Sequence, residues 1–213
     1  MTSTSSQNMS VAQYNIAIRD HLHGSNCRYT APGVPLPETD ICDLTIHIGA
    51  TESAVSGREG MQIYLDRAGS PCRHLPERSW QIHCEDPLGA EEFHAWELAQ
   101  LMIKPLLETG LCCVDLADLQ TLLSQAKGRR IVAWQGDWSS LDKLADKLVN
   151  EAVEHAWVAV FANPDKLSVE LFSMTGIMME ERLPDDAMLL VTANLQREDV
   201  SRVMVLGVLA AGT

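Results

Sequence analysis

The sequence has no long apolar run and few basic side chains. No stretch approaches the roughly 18 to 20 apolar residues that a transmembrane helix needs, and the start, MTSTSSQNMS, has no basic region followed by an apolar one, so no secretory signal is expected. Sixteen Lys and Arg stand against 29 Asp and Glu, a formal net charge of −13. This charge argues against a nucleic-acid partner and against an anionic membrane surface. We therefore expect a cytoplasmic protein with neither partner.

A disulfide framework and a zinc knuckle are also missing. A chain of 213 residues needs no disulfide staples, and its six cysteines lack a framework spacing, so we expect reduced thiols. Cys72 and His74 together with His83 and Cys84 could supply four zinc ligands. Neither pair has the gap of roughly two to four residues found in zinc knuckles, so surface or half-buried side chains are the favoured interpretation and no metal is predicted.

A glycine-rich phosphate loop is the third absence. The nearest candidate, IHIGATESAVSGREG (46–60), has three widely spaced glycines, and Glu52 within it would repel a phosphate. No Gly-Lys-Ser/Thr signature occurs either. The stretch is either a degenerate nucleotide loop or, as we favour, an ordinary strand-to-helix connection. We expect no intrinsic nucleotide hydrolysis and no cofactor.

The hydrophobic pattern predicts an α/β protein. Residues 1–42 are poorly patterned, with a Pro-rich loop at 31–40; strands are expected at 43–50 and 79–84 and a short helix at 57–69. A long, largely buried helix is predicted at 89–110, kinked or shortened by Pro105. Beyond it the pattern predicts three helices (115–127, 139–156, 165–183) and four strands (130–136, 157–163, 187–196, 202–210), the last two paired as a hairpin.

This order predicts three regions. Residues 1–88 form a small truncated α/β region with room for two or three strands, residues 89–110 a central helix, and residues 111–213 a two-layer sandwich of helices on a mixed four-stranded sheet. The second half is the more acidic, since residues 89–213 carry a net charge of −9.

One acidic turn follows the central helix, in LCCVDLADLQTLLSQ (111–125). Asp115 is a good N-cap residue, and Asp118 lies where the helix dipole favours an acid. Each effect is worth about 1 kcal/mol or less. Helix capping alone therefore explains both residues, although a functional role stays open. Cys113 beside them could be an activated thiol, but the nearby acids oppose activation and favour a structural role.

That stretch and the element order resemble the FtsZ family of the tubulin superfamily. The family has a loop of the form Leu-Ile-Asn-x-Asp-Phe-Ala-Asp-Val before a helix; here Asp115, Ala117 and Asp118 match, and Cys113 replaces the Asn. The Asp-Asp-Ala turn at 185–187 and the closing VLGVLAAG are also similar. The resemblance covers about residues 90 to 211, whereas the family's GGGTGTG nucleotide loop has no counterpart.

The resemblance implies a function. In the FtsZ family this loop completes the GTP site of the next subunit, where its two acids orient the attacking water. We therefore expect a non-GTPase FtsZ-like protein that binds FtsZ, a related polymer or itself, and that caps or modulates polymerisation and division. GTP would come only from the partner subunit. The expected contact residues are Thr109, Gly110, Leu111, Cys112, Cys113, Asp115 and Asp118.

Two other functions stay open. The chain could be a nucleotide-binding GTPase remnant that is active as a dimer, in which case Asp115 and Asp118 of one chain would serve the site of the other. It could also be a homo-oligomeric structural module that has kept the fold and lost the partner.

Overall fold

The computed structural model describes residues 13–51, 59–85, 94–108, 110–112, 114–196 and 201–212. Nine strands and four α-helices are present in this part of the chain. In order they are β1 (Ile16–Asp20), β2 (Ser25–Tyr29), β3 (Leu44–Ile48), β4 (Met61–Arg67), β5 (Ser79–Cys84), α1 (Ala95–Leu107), α2 (Leu116–Ser124), β6 (Ile131–Asp137), α3 (Leu141–Asn150), β7 (Val153–Ala162), α4 (Val169–Glu180), β8 (Leu189–Leu195) and β9 (Arg202–Leu209). The predicted α/β class is confirmed.

All nine strands form one sheet, in the order β2-β1-β3-β4-β5-β6-β9-β7-β8. Strands β1, β3, β4, β5 and β6 are parallel neighbours, and β2 is antiparallel to β1. Strand β9 is antiparallel to both β6 and β7, while β8 is parallel to β7. The four strands predicted for the second half are therefore continuous with the five strands before α1.

Helices pack on both faces of this sheet. Side chains alternate along a strand, so Ile131 and Ala133 of β6 face α1 and α2, whereas Val132 and Trp134 face α3 and α4. The second half thus has helices on two faces of its sheet, not on one. Of the helices in the described part of the chain, none has the length and hydropathy needed to cross a bilayer.

Three sequence predictions about secondary structure are wrong. Residues 57–69 hold strand β4 and not a helix: Met61, Ile63 and Leu65 alternate with Gln62 and Tyr64, which is the period of a strand. Five strands precede α1, where two or three were expected. The last two strands do not form a hairpin, because β9 inserts between β6 and β7.

The ends of two predicted helices also differ. Of the predicted 89–110 helix, residues 89–93 lie outside the described residues, and α1 ends at Leu107, three residues early, because Glu108 is extended (φ −111°, ψ 144°). Pro105 is accommodated inside its last turn. The predicted 139–156 helix stops at Asn150, since Ala152 takes a left-handed conformation (φ 51°) and β7 follows.

The face of β3 and β4 opposite α1 is polar, yet buried. His47, at 2% exposure, donates a hydrogen bond from Nε2 to Gln62 Oε1 (2.9 Å) and stacks on the ring of Tyr64, with ring centres 4.7 Å apart. The loop before β5 folds over this layer: Arg73 makes a two-pronged ion pair with Asp66, with both N···O distances 2.6 Å. Hydrogen bonds thus replace apolar packing here.

Candidate functional site: the acidic loop between α1 and α2

The loop after α1 is fixed to the free edge of the sheet. The Leu111 amide donates to the Ala193 carbonyl at 2.9 Å, and Cys112 forms an antiparallel bridge with the same residue of β8. Since β8 ends the sheet, this pairing blocks part of an otherwise open edge. The loop is therefore held at both ends, by α1 and by β8.

Gly110 makes this close approach possible. A Cβ at Gly110 would overlap the Ala193 carbonyl oxygen, at a separation that real Cβ atoms essentially never show. It would also lie 3.2 Å from the side-chain nitrogen of Asn194. Asn194 is 1% exposed, and neither atom of its side-chain amide has a hydrogen-bond partner in the described part of the chain. A buried amide without hydrogen-bond partners lowers the stability of the fold. The side chain of Asn194 is therefore not explained by stability.

The two acids form a reciprocal capping box at the start of α2. The Asp118 amide donates to Asp115 Oδ1 (2.8 Å), and the Asp115 amide donates to Asp118 Oδ2 (3.1 Å). The capping role expected from the sequence is present. Across the residues described, neither carboxylate has a cationic partner, and one oxygen of each stays outside the box. Capping fixes the orientation of both carboxylates without neutralising them.

Most of the predicted contact residues lie together on the surface. Leu111 is 52% exposed, Cys112 and Asp115 are exposed, and Asp118 is half-buried. Thr109 and Cys113 lie outside the described residues. The acidic loop surface, defined by Gly110, Leu111, Cys112, Asp115 and Asp118, therefore combines one apolar side chain, one thiol and two anchored carboxylates.

A groove of about 450 Å³ beside this surface is not evident from the sequence. Its walls are one side of α1 and the ends of β2, β8 and β9, with both basic and acidic side chains. Arg202 pairs with Glu97 across it at 3.3 Å, and Lys104 lies over the ring of Phe161, 5.8 Å from its centre. Because Arg202 and Glu97 are 105 positions apart, no local pattern could have predicted this groove.

A second cavity, of about 320 Å³, lies at the carboxyl ends of β1 and β3. Ligands of open α/β sheets commonly bind at this edge. None of its described lining residues is Lys or Arg, and Asp20 supplies a carboxylate. Burial raises the pKa of Asp20, but hydrogen bonds from His23 and from the amides of His23 and Leu22 outweigh it, so the pKa stays below its ordinary value. A negatively charged group at this position disfavours a phosphate ligand.

The candidate nucleotide loop is described only in part, because residues 52–58 lie outside the described residues. Its first residues form strand β3, which ends at Ile48. The glycine at position 60 is explained by packing and not by nucleotide binding, because a Cβ there would overlap the Cys42 carbonyl oxygen.

The four candidate zinc ligands are not brought together. His83 and Cys84 are neighbours in β5 and so point to opposite faces of the sheet. Cys72 and His74 are exposed on the loop before it. Within the residues described, no group of three or more His, Cys, Asp or Glu side chains could hold a metal ion.

Comparison with models of protein families finds no match, and neither does comparison with curated proteins. Solved structures do match. A point mutant of FtsZ from M. jannaschii aligns with a TM-score of 0.53 at 13% identity, over 78% of this chain and 65% of the FtsZ chain. CetZ from Methanosaeta thermophila aligns with a TM-score of 0.51 at 11% identity, over 80% of this chain and 62% of the CetZ chain.

The chain has a tubulin/FtsZ-type fold. Identities this low show the fold alone. The chain also spans less than two thirds of the length of either tubulin-like protein. The role of the acidic loop surface therefore rests on its own geometry.

Proposed function

We propose that this chain is a non-GTPase, FtsZ-like interaction protein that binds FtsZ or a related polymer through the acidic loop surface. By occupying one end of a filament without offering a nucleotide-binding face, it would cap or modulate polymerisation and thereby cell division. The observation that carries this proposal is the anchored, exposed loop at the edge of the sheet, whose two fixed carboxylates have no cationic partner among the described residues.

Pre-organisation of the loop supports a binding role. The Leu111–Ala193 hydrogen bond and the capping box hold the backbone before any partner arrives, so little conformational entropy remains to be lost on binding. The side-chain amide of Asn194, which has no hydrogen-bond partner among the described residues, fits the same interpretation, since functional sites often keep features that cost stability.

The lack of Lys and Arg among the described residues that line the cavity at the carboxyl ends of β1 and β3 supports the non-GTPase part of the proposal. This cavity presents Asp20, and the 213 residues contain no GGGTGTG or Gly-Lys-Ser/Thr run. Nucleotide chemistry at the loop would thus depend on a partner's GTP. A melting temperature that rises with millimolar GTP would contradict this part of the proposal, because ligands that bind the folded state stabilise it.

The capping box dictates how the loop should be tested. Alanine at both Asp115 and Asp118 would remove the charges and the caps together, costing about 1 kcal/mol for each lost cap. The double variant Asp115→Asn/Asp118→Asn removes both charges but keeps side-chain oxygens that can accept the same amide hydrogen bonds. A charge-matched control is Asp40→Asn/Asp142→Asn, which changes two exposed carboxylates elsewhere.

The assay is GTP hydrolysis and sedimentation of purified FtsZ while the chain is titrated in. We expect loss of polymer at substoichiometric amounts of the wild-type chain and of the control, and no loss with Asp115→Asn/Asp118→Asn. No effect of the wild-type chain at equimolar concentration would refute the capping function. Light scattering of the pure chain would then separate a homo-oligomeric module from a monomer.

A further inference from the structure

Helix α4 is apolar on nearly all sides but is scarcely buried. Its sequence, VELFSMTGIMME, contains seven large apolar residues, yet only Thr175 and Met179 are buried. A helix that is apolar all round normally lies inside a core. Within the described part of the chain, α4 packs on one side only, against α3 and β8.

The outward side of α4 forms a defined stripe. Met174 and Ile177 are each 56% exposed and lie three residues apart, on one face of the helix. Glu170 precedes Met174 by four residues, and Glu181 follows Ile177 by four, so a carboxylate lies about one helical turn beyond each end of the apolar pair. Val169, at 71% exposure, extends the apolar area toward the start of the helix. We call the exposed apolar residues Val169, Met174 and Ile177 the α4 stripe.

Gly176 lies on the same side of α4 as exposed Val169, two turns further along the helix. A Cβ at Gly176 would meet no atom within 4 Å, so packing inside the chain leaves room for alanine. Glycine in a helix interior is less stable than alanine. A missing side chain on an exposed helix lets another backbone approach closely. Gly176 therefore leaves room for another backbone to approach this side of α4.

The charge around the stripe indicates which kind of partner fits. Residues 165–186 hold six carboxylates and two basic side chains, a net charge of −4, and one of the two, Arg182, is already paired with Asp146 (3.2 Å). A second copy would place the same acidic rim against itself in a two-fold contact. An anionic bilayer would be repelled as well.

We propose that the α4 stripe docks an amphipathic helical segment of another protein, apolar on the docking side and flanked by Lys and Arg. This inference stands on α4 alone and does not depend on the function proposed for the acidic loop surface.

The test uses two synthetic amphipathic peptides and the full chain. Both peptides have the same leucines at helical spacing; one carries Lys at the flanking positions and the other Glu. Binding is measured by fluorescence anisotropy. We expect the Lys peptide to bind and the Glu peptide not to bind. Ile177→Lys should weaken binding about tenfold, the size of effect that a central interface residue produces.

The matched control is Ile41→Lys. Ile41 is 57% exposed, like Ile177, but precedes β3, which is separated from β8 by five strands. Both substitutions change the net charge equally, so equal losses of affinity would show attraction to overall charge and would overturn the proposal. Circular dichroism verifies that each variant is folded.

Gly176→Ala separates a docking role from a structural one. The substitution should raise the melting temperature of the chain and at the same time weaken peptide binding about threefold or more, because the added methyl group obstructs close approach. Unchanged affinity would overturn the close-approach argument. Two other results would overturn the proposal itself. One is a concentration-dependent dimer in sedimentation that Ile177→Lys abolishes, since the occupant would then be a second copy. The other is binding to neutral phosphatidylcholine vesicles that Ile177→Lys abolishes, since the occupant would then be a bilayer.

Discussion

The attachment of the acidic loop to β8 can be tested with one methyl group at Gly110. Its backbone φ is not in the left-handed region, so alanine is conformationally permitted and the effect is steric. The new Cβ would overlap the Ala193 carbonyl oxygen at less than 3.0 Å, whereas ordinary contacts begin near 3.4 Å. The loop and β8 must therefore separate by at least 0.4 Å.

That separation has a calculable cost. The hydrogen bond from the Leu111 amide to Ala193, now 2.9 Å, would be stretched or lost, and a net hydrogen bond contributes about 0.5–1.5 kcal/mol. Strain from overpacking in a tight contact adds about 1–3 kcal/mol. Because relaxation of the loop relieves part of the strain, we expect Gly110→Ala to lower the free energy of unfolding by about 1–3 kcal/mol.

Urea denaturation followed by tryptophan fluorescence measures this change, and hydrogen exchange of the Leu111 amide reports the loop itself. Gly176→Ala is the internal comparison, since its new Cβ meets nothing and should raise the free energy of unfolding by about 0.5–1 kcal/mol. An unchanged unfolding midpoint together with undiminished protection of the Leu111 amide in Gly110→Ala would refute the steric argument.

Three further predictions concern buried groups. Burial lowers the pKa of His47 below 6.5, its hydrogen bond to Gln62 opposes the shift, and the nearby charges of His21 and Arg73 add to it. The unfolded state therefore binds a proton more readily than the folded state, so stability should be full above about pH 6.5 and fall as the pH drops below it, which urea midpoints across the pH range measure. Because burial also lowers the pKa of His83 and His155, His47→Gln should make this profile shallower, and an unchanged profile would refute the assignment. Asp66→Ala leaves the guanidinium of Arg73 buried without its carboxylate and should cost about 3–5 kcal/mol, whereas a loss below about 1 kcal/mol would mean that the pair is not effectively buried. Burial raises the pKa of the Cys84 thiol far above its ordinary value, although its side chain is only half-buried. A thiol reagent should therefore modify exposed Cys72 in the native chain well before Cys84, as mass spectrometry of partly labelled protein would reveal.

The second half of the fold was predictable because its elements are long and locally periodic. Leu144 and Leu148 recur at helical spacing in α3, and the last seven residues of β7, 156–162, are a continuous apolar run. Strand β4 was missed for the opposite reason. Gln62 and Asp66 are polar residues on a face that is buried by hydrogen bonding, so composition alone gave no sign of a buried strand.

The order of strands in the sheet cannot be predicted from local sequence patterns. Two β-rich runs joined by a short polar turn predict a hairpin. Strand β9 instead inserts between β6 and β7, where all of its residues but the first are buried. At the site, the caps of α2 could be predicted from Asp115 and Asp118. The anchoring of the loop could not, since Gly110 and Ala193 are far apart in sequence and nothing near Gly110 specifies its partner.

The acidic loop surface and helix α4 contact the same strand, which leads to a last prediction. The loop pairs with the outer edge of β8 at Ala193, and α4 packs on one face of β8. Adjacent layers of a protein lie roughly 10 Å apart. A standard interface covers about 800 Å² of each partner, a patch of about 16 Å radius if round. A polymer end centred on Cys112, where the acidic loop surface meets the edge of β8, would therefore reach α4.

We expect the two ligands to compete. Saturating Lys-flanked peptide should raise the concentration of chain needed to cap FtsZ, and Ile177→Lys, which no longer binds the peptide, should be insensitive to it. Capping that is equally potent with and without peptide, under conditions in which anisotropy shows the peptide bound, would mean that the two surfaces act separately. The chain would then be able to hold a filament end and a basic helical partner at once, as an adaptor and not as a cap alone.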